Sequence, residues 1–120
     1  MRIAIAVSDY SLSQLIRLIL EDEGHEIYVF PDLADLVDWL KKEPEAPDLL
    51  FIDFMSAQVN QIDLPAMLRE SKYGSVCTIL ISIVPPRKEH AHFWDHFLRN
   101  PFTIRQLLAT IQECADKRNS

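Results

Sequence analysis

The sequence predicts a doubly wound α/β domain, a five-stranded parallel sheet covered by helices on both faces. Three observations lead there. Short apolar runs alternate with amphipathic stretches five times along the chain. The apolar runs are continuous, as in strands buried on both faces, and do not alternate as a half-exposed strand would. The 120 residues have room for one hydrophobic core and not for two. Strands that alternate with helices require right-handed crossovers, which gives a three-layer α/β/α arrangement.

The elements follow in order. Ile3 to Val7 reads as the first strand. Ser11 opens a helix, with Gln14 as its capping-box partner, and Leu12, Leu15, Ile16, Ile19 and Leu20 recur at helical spacing. Gly24 supplies the stop. Glu26 to Phe30 is the second strand, and Asp32 caps a helix carrying Leu33, Leu36, Val37 and Leu40 that ends before Pro44 and Pro47. Leu49 to Phe54 is the third strand, followed by a loop over 55–61 and a short helix with Leu64, Met67 and Leu68. Val76 to Val84 is the fourth strand, broken by Pro85 and Pro86. The stretch from Arg87 to His96 fits either a short helix or an irregular loop. Phe97 and Leu98 form a minimal fifth strand, and Thr103 caps the last helix with Gln106, whose stripe is Ile104, Leu107, Leu108 and Ile111. Residues 1–120 thus make a single domain with a polar tail from Asp116 to Ser120.

Composition narrows the function. Hydrophobic residues make up 48% and charged residues 25% of the chain, so it is neither disordered nor membrane-spanning. No apolar run approaches the ~20 residues a membrane helix needs, and the N-terminus is too short for a signal peptide. A cytoplasmic location is the expectation. Twelve basic against eighteen acidic residues give a net charge of −6, which argues against an extended nucleic-acid surface. Cys77 and Cys114 fall at apolar positions and are expected to be buried, reduced thiols.

In such a sheet, in the flavodoxin-like strand order 2-1-3-4-5, ligands bind beyond the carboxyl ends of the strands where the order reverses. Ser8 and Asp9 leave the first strand there and Asp53 the third, while Ser82 ends the fourth and Asn100 follows the fifth. Topology alone gathers two carboxylates, a hydroxyl and an amide in one crevice. A flavin-type cofactor protein is the weakest option, because the turn Ser8-Asp9-Tyr10-Ser11 is acidic and has no glycine to let a phosphate approach the backbone.

These segments, Val7-Ser8-Asp9-Tyr10, Phe51-Ile52-Asp53-Phe54, Leu80-Ile81-Ser82-Ile83 and Phe97-Leu98-Arg99-Asn100-Pro101-Phe102, resemble the receiver domains of two-component response regulators over essentially the whole chain. That CheY-like family carries an acidic pair after the first strand, a phospho-accepting Asp after the third, Thr or Ser after the fourth and Lys-Pro after the fifth. The resemblance implies a phosphorelay signalling module and not an enzyme. It casts Asp53 as the phosphoacceptor, a carboxylate nucleophile, and Ser82 as the switch hydroxyl. Phe97 occupies the switch-aromatic position. Asp9, Asp53 and the backbone carbonyl of Met55 would hold Mg²⁺, an ion that favours one or two carboxylates plus phosphate and water.

The departures are as informative. Ser8 replaces the first acid, Asn100 replaces the lysine, Ile83 stands where a small residue is usual, and Ala57 where proline is. Arg99, beside the missing lysine, should point away, since side chains alternate along a strand. The interval from Ser82 to Asn100 is short for the family, so the fourth helix should be truncated or lost. The expectation is therefore a degenerate receiver, a pseudo-receiver acting as a protein-interaction module with impaired or absent aspartyl phosphorylation. The alternative is a conventional receiver that accepts phosphate at Asp53 from a histidine kinase with Mg²⁺.

Partners are expected to be proteins: a histidine kinase, a downstream signalling protein or a second copy. Neither nucleic acid nor membrane is expected as a partner. The expected surface is the face formed by the fourth helix, the fifth strand and the fifth helix, where Phe93 and Trp94 either plug the core or present an apolar contact. His90, His92 and His96 lie near Asp95; exposed histidines are the plain reading, and a transition-metal site on one helical face is the sharper one.

Overall fold

A computed structural model of the chain describes residues 1–53, 64–68, 70–86, 88 and 93–118. Five strands, β1 (Arg2–Ala6), β2 (Glu26–Phe30), β3 (Leu49–Asp53), β4 (Cys77–Ser82) and β5 (His96–Arg99), form one sheet in the order β2-β1-β3-β4-β5. Every pairing is parallel. The helices are α1 (Tyr10–Asp22), α2 (Leu33–Lys42), α3 (Leu64–Leu68) and α4 (Ile104–Arg118), with a 3₁₀ turn at Ser71–Tyr73. The last of these belongs to the fifth unit. The fourth unit's helix would fall between Arg87 and His96, mostly outside the described residues.

The sheet's two faces pack into two cores. Ile3, Ile5, Leu49, Phe51, Cys77 and Ile79 face a layer built from Ile16 and Leu20 of α1 and Leu107, Ile111 and Cys114 of α4. Ala4, Ala6, Leu50 and Ile52 face Leu33, Leu36, Val37 and Leu40 of α2, together with Leu64 and Tyr73. Small Ala4 and Ala6 let α2 sit close to β1. This alternation of successive residues between two filled layers is why the strand sequences read as unbroken apolar runs.

Local signals mostly place the ends. Gly24 adopts φ +91°, and the N–H groups of Gly24 and His25 donate to the carbonyls of Glu21 and Leu20, a Schellman closure of α1. Asp32 Oδ1 accepts from Asp35 N–H at 2.9 Å. Thr103 and Gln106 exchange both capping-box bonds, at 2.8 and 3.0 Å. The start of α1 differs from expectation: Asp9, and not Ser11, is the N-cap. Leu15, read at helical spacing, and Ile104, read in the last helix's buried stripe, are exposed, while Ile16 and Leu107 of the same sets face the sheet.

Strand β4 stops at Ser82, two residues short of the predicted Val84, and β5 runs from His96 to Arg99. Thr78 explains the longer β5. Its N–H donates to Asp95 Oδ2 at 2.8 Å, its Oγ1–H to the Phe93 carbonyl at 3.1 Å, and it accepts from Asp95 N–H at 3.1 Å. Phe93 and Trp94, in edge-to-face contact with centroids 4.8 Å apart, are half-buried against the α2-side core. They fill the core, the first of the two roles expected of them.

The expectation of reduced cysteines does not hold. Cys77 and Cys114 form a disulfide with Cα atoms 6.0 Å apart. Cys77 shares the face of Ile79 and Ile81, and Cys114 follows Ile111 on the stripe of α4, so the two thiols meet in one layer.

His25, half-buried, has its pKa lowered, by burial first and then by the Met1 ammonium, whose nitrogen lies 3.0 Å from Nδ1. The unfolded chain therefore binds this proton more readily than the folded one. The stability linked to neutral His25 is present above about pH 6.5 and is lost as pH falls through the lower folded value. Melting wild type and His25→Gln at about pH 7 and about pH 5 should show the steeper loss in wild type; parallel losses would contradict this.

Candidate functional site

The crevice forms where topology requires, at the carboxyl ends of β1, β3 and β4. Ser8 and Asp9 follow β1, and Asp53 ends β3, whose register places it opposite Ile81. Ser82 ends β4, and Asn100 follows β5, its N–H donating to the Ser82 carbonyl at 2.9 Å. Ser8, Asp9, Asp53, Ser82, Ile83 and Asn100 line a cavity of about 270 Å³. That is just below the ~300–1,000 Å³ of sites that enclose an organic ligand, and suits a group of phosphate size.

Each polar residue is held by the local backbone. Asp9 Oδ1 accepts from Leu12 N–H at 3.0 Å, capping α1, an interaction worth about 1 kcal/mol. Asp53 Oδ2 accepts two bonds from one residue, Ser8 N–H at 2.9 Å and Ser8 Oγ–H at 2.5 Å. Ser8, which the sequence marks only as a lost acid, thus grips the Asp53 carboxylate. Ser82 is buried, and its Oγ accepts from Val84 N–H at 3.2 Å. Ile83 is 68% exposed, so it shapes the mouth of the crevice.

Charge is distributed one-sidedly. Two carboxylates line the cavity, and no Lys or Arg is among the described residues that do. Arg99 is exposed and not part of the lining. Asn100 is in the lining, at the position of the expected lysine. Phe97 pairs with Leu80 in β5 and is half-buried. Met55 and Ala57 lie outside the described residues.

Solved structures share this architecture. A two-component response regulator from Clostridium difficile aligns over 100% of this chain and 99% of its own, at TM-score 0.82 and 17% identity. A Francisella response regulator receiver domain aligns over 97% of both chains at TM-score 0.77 and 20% identity. A response regulator receiver protein from Burkholderia phymatum covers 94% and 93% at TM-score 0.78 and 20% identity. The chain has the receiver fold. No family model and no curated protein matches the chain.

Within the receiver fold, the sequence located Asp9, Asp53, Ser82 and Asn100 in one crevice through the order of strand ends alone. It did not yield the Ser8–Asp53 hydrogen bonds, since a serine beside a strand end carries no signal of its partner. It also placed His96 in a histidine patch. His96 begins β5, with Nδ1 3.2 Å from Glu113 Oε2, and His90 and His92, the rest of that patch, lie outside the described residues. Among the described residues, no helix is long and apolar enough to cross a membrane.

Proposed function

We infer that the chain is a receiver-like signalling domain that works as a protein-interaction module, with aspartyl phosphorylation at Asp53 impaired or absent. The observation that carries this reading is the double hydrogen bond from Ser8 to Asp53 Oδ2 in a crevice where Asn100 stands at the position of the family lysine. A phosphoryl group on Asp53 would have to displace the Ser8 hydroxyl and then sit beside the Asp9 carboxylate, with Asn100 where the family has lysine. A charge-assisted hydrogen bond is worth ~1.5–3 kcal/mol. Losing roughly 2 kcal/mol weakens the phosphorylated state about 30-fold.

Asp9 and Asp53 would hold Mg²⁺, since both carboxylates line the same crevice. The bound ion would offset part of the phosphate's negative charge. With Ser8 in place of a third acid, Mg²⁺ is expected to bind no more tightly than about millimolar by calorimetric titration. Micromolar binding would contradict the weak-metal reading.

The second reading is a conventional receiver taking phosphate from a histidine kinase, and the retained Asp53, Asp9 and Ser82 favour it. Under the first reading, association with a kinase, a downstream protein or a second copy uses the face around β5 and α4 and does not need phosphate. Sedimentation of wild type, Asp53→Ala and Trp94→Ala tests this. Asp53→Ala should associate as wild type does. Loss of association in Asp53→Ala, with normal association in Trp94→Ala, would sink the reading.

A further inference from the structure

The opposite end of the sheet carries a second cluster of chemistry-bearing residues. Cys77 begins β4, His96 begins β5, and Cys114 lies on the sheet-facing stripe of α4. The two sulfurs and a ring nitrogen of His96 all lie within 4.8 Å of one another. Both cysteines are buried, whereas the His96 side chain is 23% exposed and gives the cluster a way to solvent. Glu113, one residue before Cys114, sets its carboxylate 3.2 Å from His96 Nδ1 and holds the ring beside the sulfurs. Cys77 and Ser82 stand at opposite ends of β4, five steps and roughly 16 Å apart along the strand, so this cluster is not part of the crevice.

Two thiolates and an imidazole are the donors of a thiophilic borderline cation, and a poor set for Mg²⁺. We propose that, once the disulfide is reduced, Cys77, His96 and Cys114 bind one Zn²⁺-class ion, so that disulfide and metal are exclusive states of the same cysteine pair. A dithiol reductant supplies two electrons and two protons, breaks the Sγ–Sγ bond, leaves two thiols and itself becomes a disulfide. Metal binding then forms two sulfur–metal bonds and releases the two thiol protons. Tetrahedral coordination with Zn–S of about 2.3 Å sets the sulfurs roughly 3.8 Å apart. Cα atoms 6.0 Å apart allow that separation by side-chain rotation. Three protein ligands leave a fourth position for water. The proposal does not rest on the reading of Asp53.

The test titrates Co²⁺ into the intact protein, reduced with a phosphine and desalted, and then displaces it with Zn²⁺. The reduced protein should develop a thiolate-to-cobalt charge-transfer band and retain one Zn²⁺ per chain by native mass; the oxidised protein should do neither. Glu113→Gln should weaken Zn²⁺ binding about 10–100-fold, and His96→Ala by more. A reduced, folded wild type with no thiolate band and no retained zinc overturns the proposal. So does a Zn²⁺ affinity unchanged in His96→Ala, a variant that leaves both cysteines in place.

Discussion

Phe51→Ala is expected to destabilise the domain by about 3–5 kcal/mol. Phe51 is fully buried in the central strand β3, with Ile5 of β1 and Ile79 of β4 as its register neighbours. Among the described residues it is the largest fully buried side chain, and it faces the layer that α1 and α4 share. Deleting its ring removes apolar burial and leaves a cavity that flanking strands, held by parallel ladders on both sides, cannot close. Domains of this size have only about 5–15 kcal/mol of net stability, so the melting temperature should fall by roughly 10–20 °C. Leu18→Ala is the control. Leu18 is 64% exposed on α1, and its loss should change stability by no more than about 0.5 kcal/mol. Equal melting shifts for the two variants would show that the core is not where β3 places it.

Asn100→Lys is expected to favour the phosphorylated state of Asp53 by up to about 30-fold at fixed phosphodonor concentration, from one added charge-assisted bond of roughly 2 kcal/mol. The lysine would also pair with the unmodified carboxylate, but it attracts a phosphoryl group of nearly two negative charges more strongly. The comparison needs Asp53→Asn in the same background to show that the added mass sits on Asp53. An Asn100→Lys protein that folds normally and gains no phosphate would mean that the missing cation is not what limits the crevice.

Much of this was legible in the residues. Continuous apolar strands, the stops at Gly24 and Pro44, and the capping pairs at Asp32 and Thr103 each reflect local rules, and five alternating units suit the flavodoxin-like strand order. The crevice followed as well, because strand ends determine which residues converge. The disulfide was legible in principle. Cys77 shares the parity of Ile79 and Ile81, and Cys114 lies three residues after Ile111, so both belonged to one layer. A default view of lone cysteines as inert core residues concealed it. The Ser8–Asp53 bonds were out of reach, since they depend on side-chain rotamers at a junction of two strands distant in sequence. The longer β5 likewise depends on Thr78 reaching Asp95 and Phe93 across the sheet.

The central claim is that a receiver fold with Ser8 on Asp53 and Asn100 in place of a lysine does not hold a stable aspartyl phosphate. Intact-mass measurement after incubation with Mg²⁺ and a small acyl phosphate tests it directly. The account expects slow, substoichiometric addition of one phosphoryl group, or none. Rapid, near-stoichiometric addition that Asp53→Asn abolishes would contradict it.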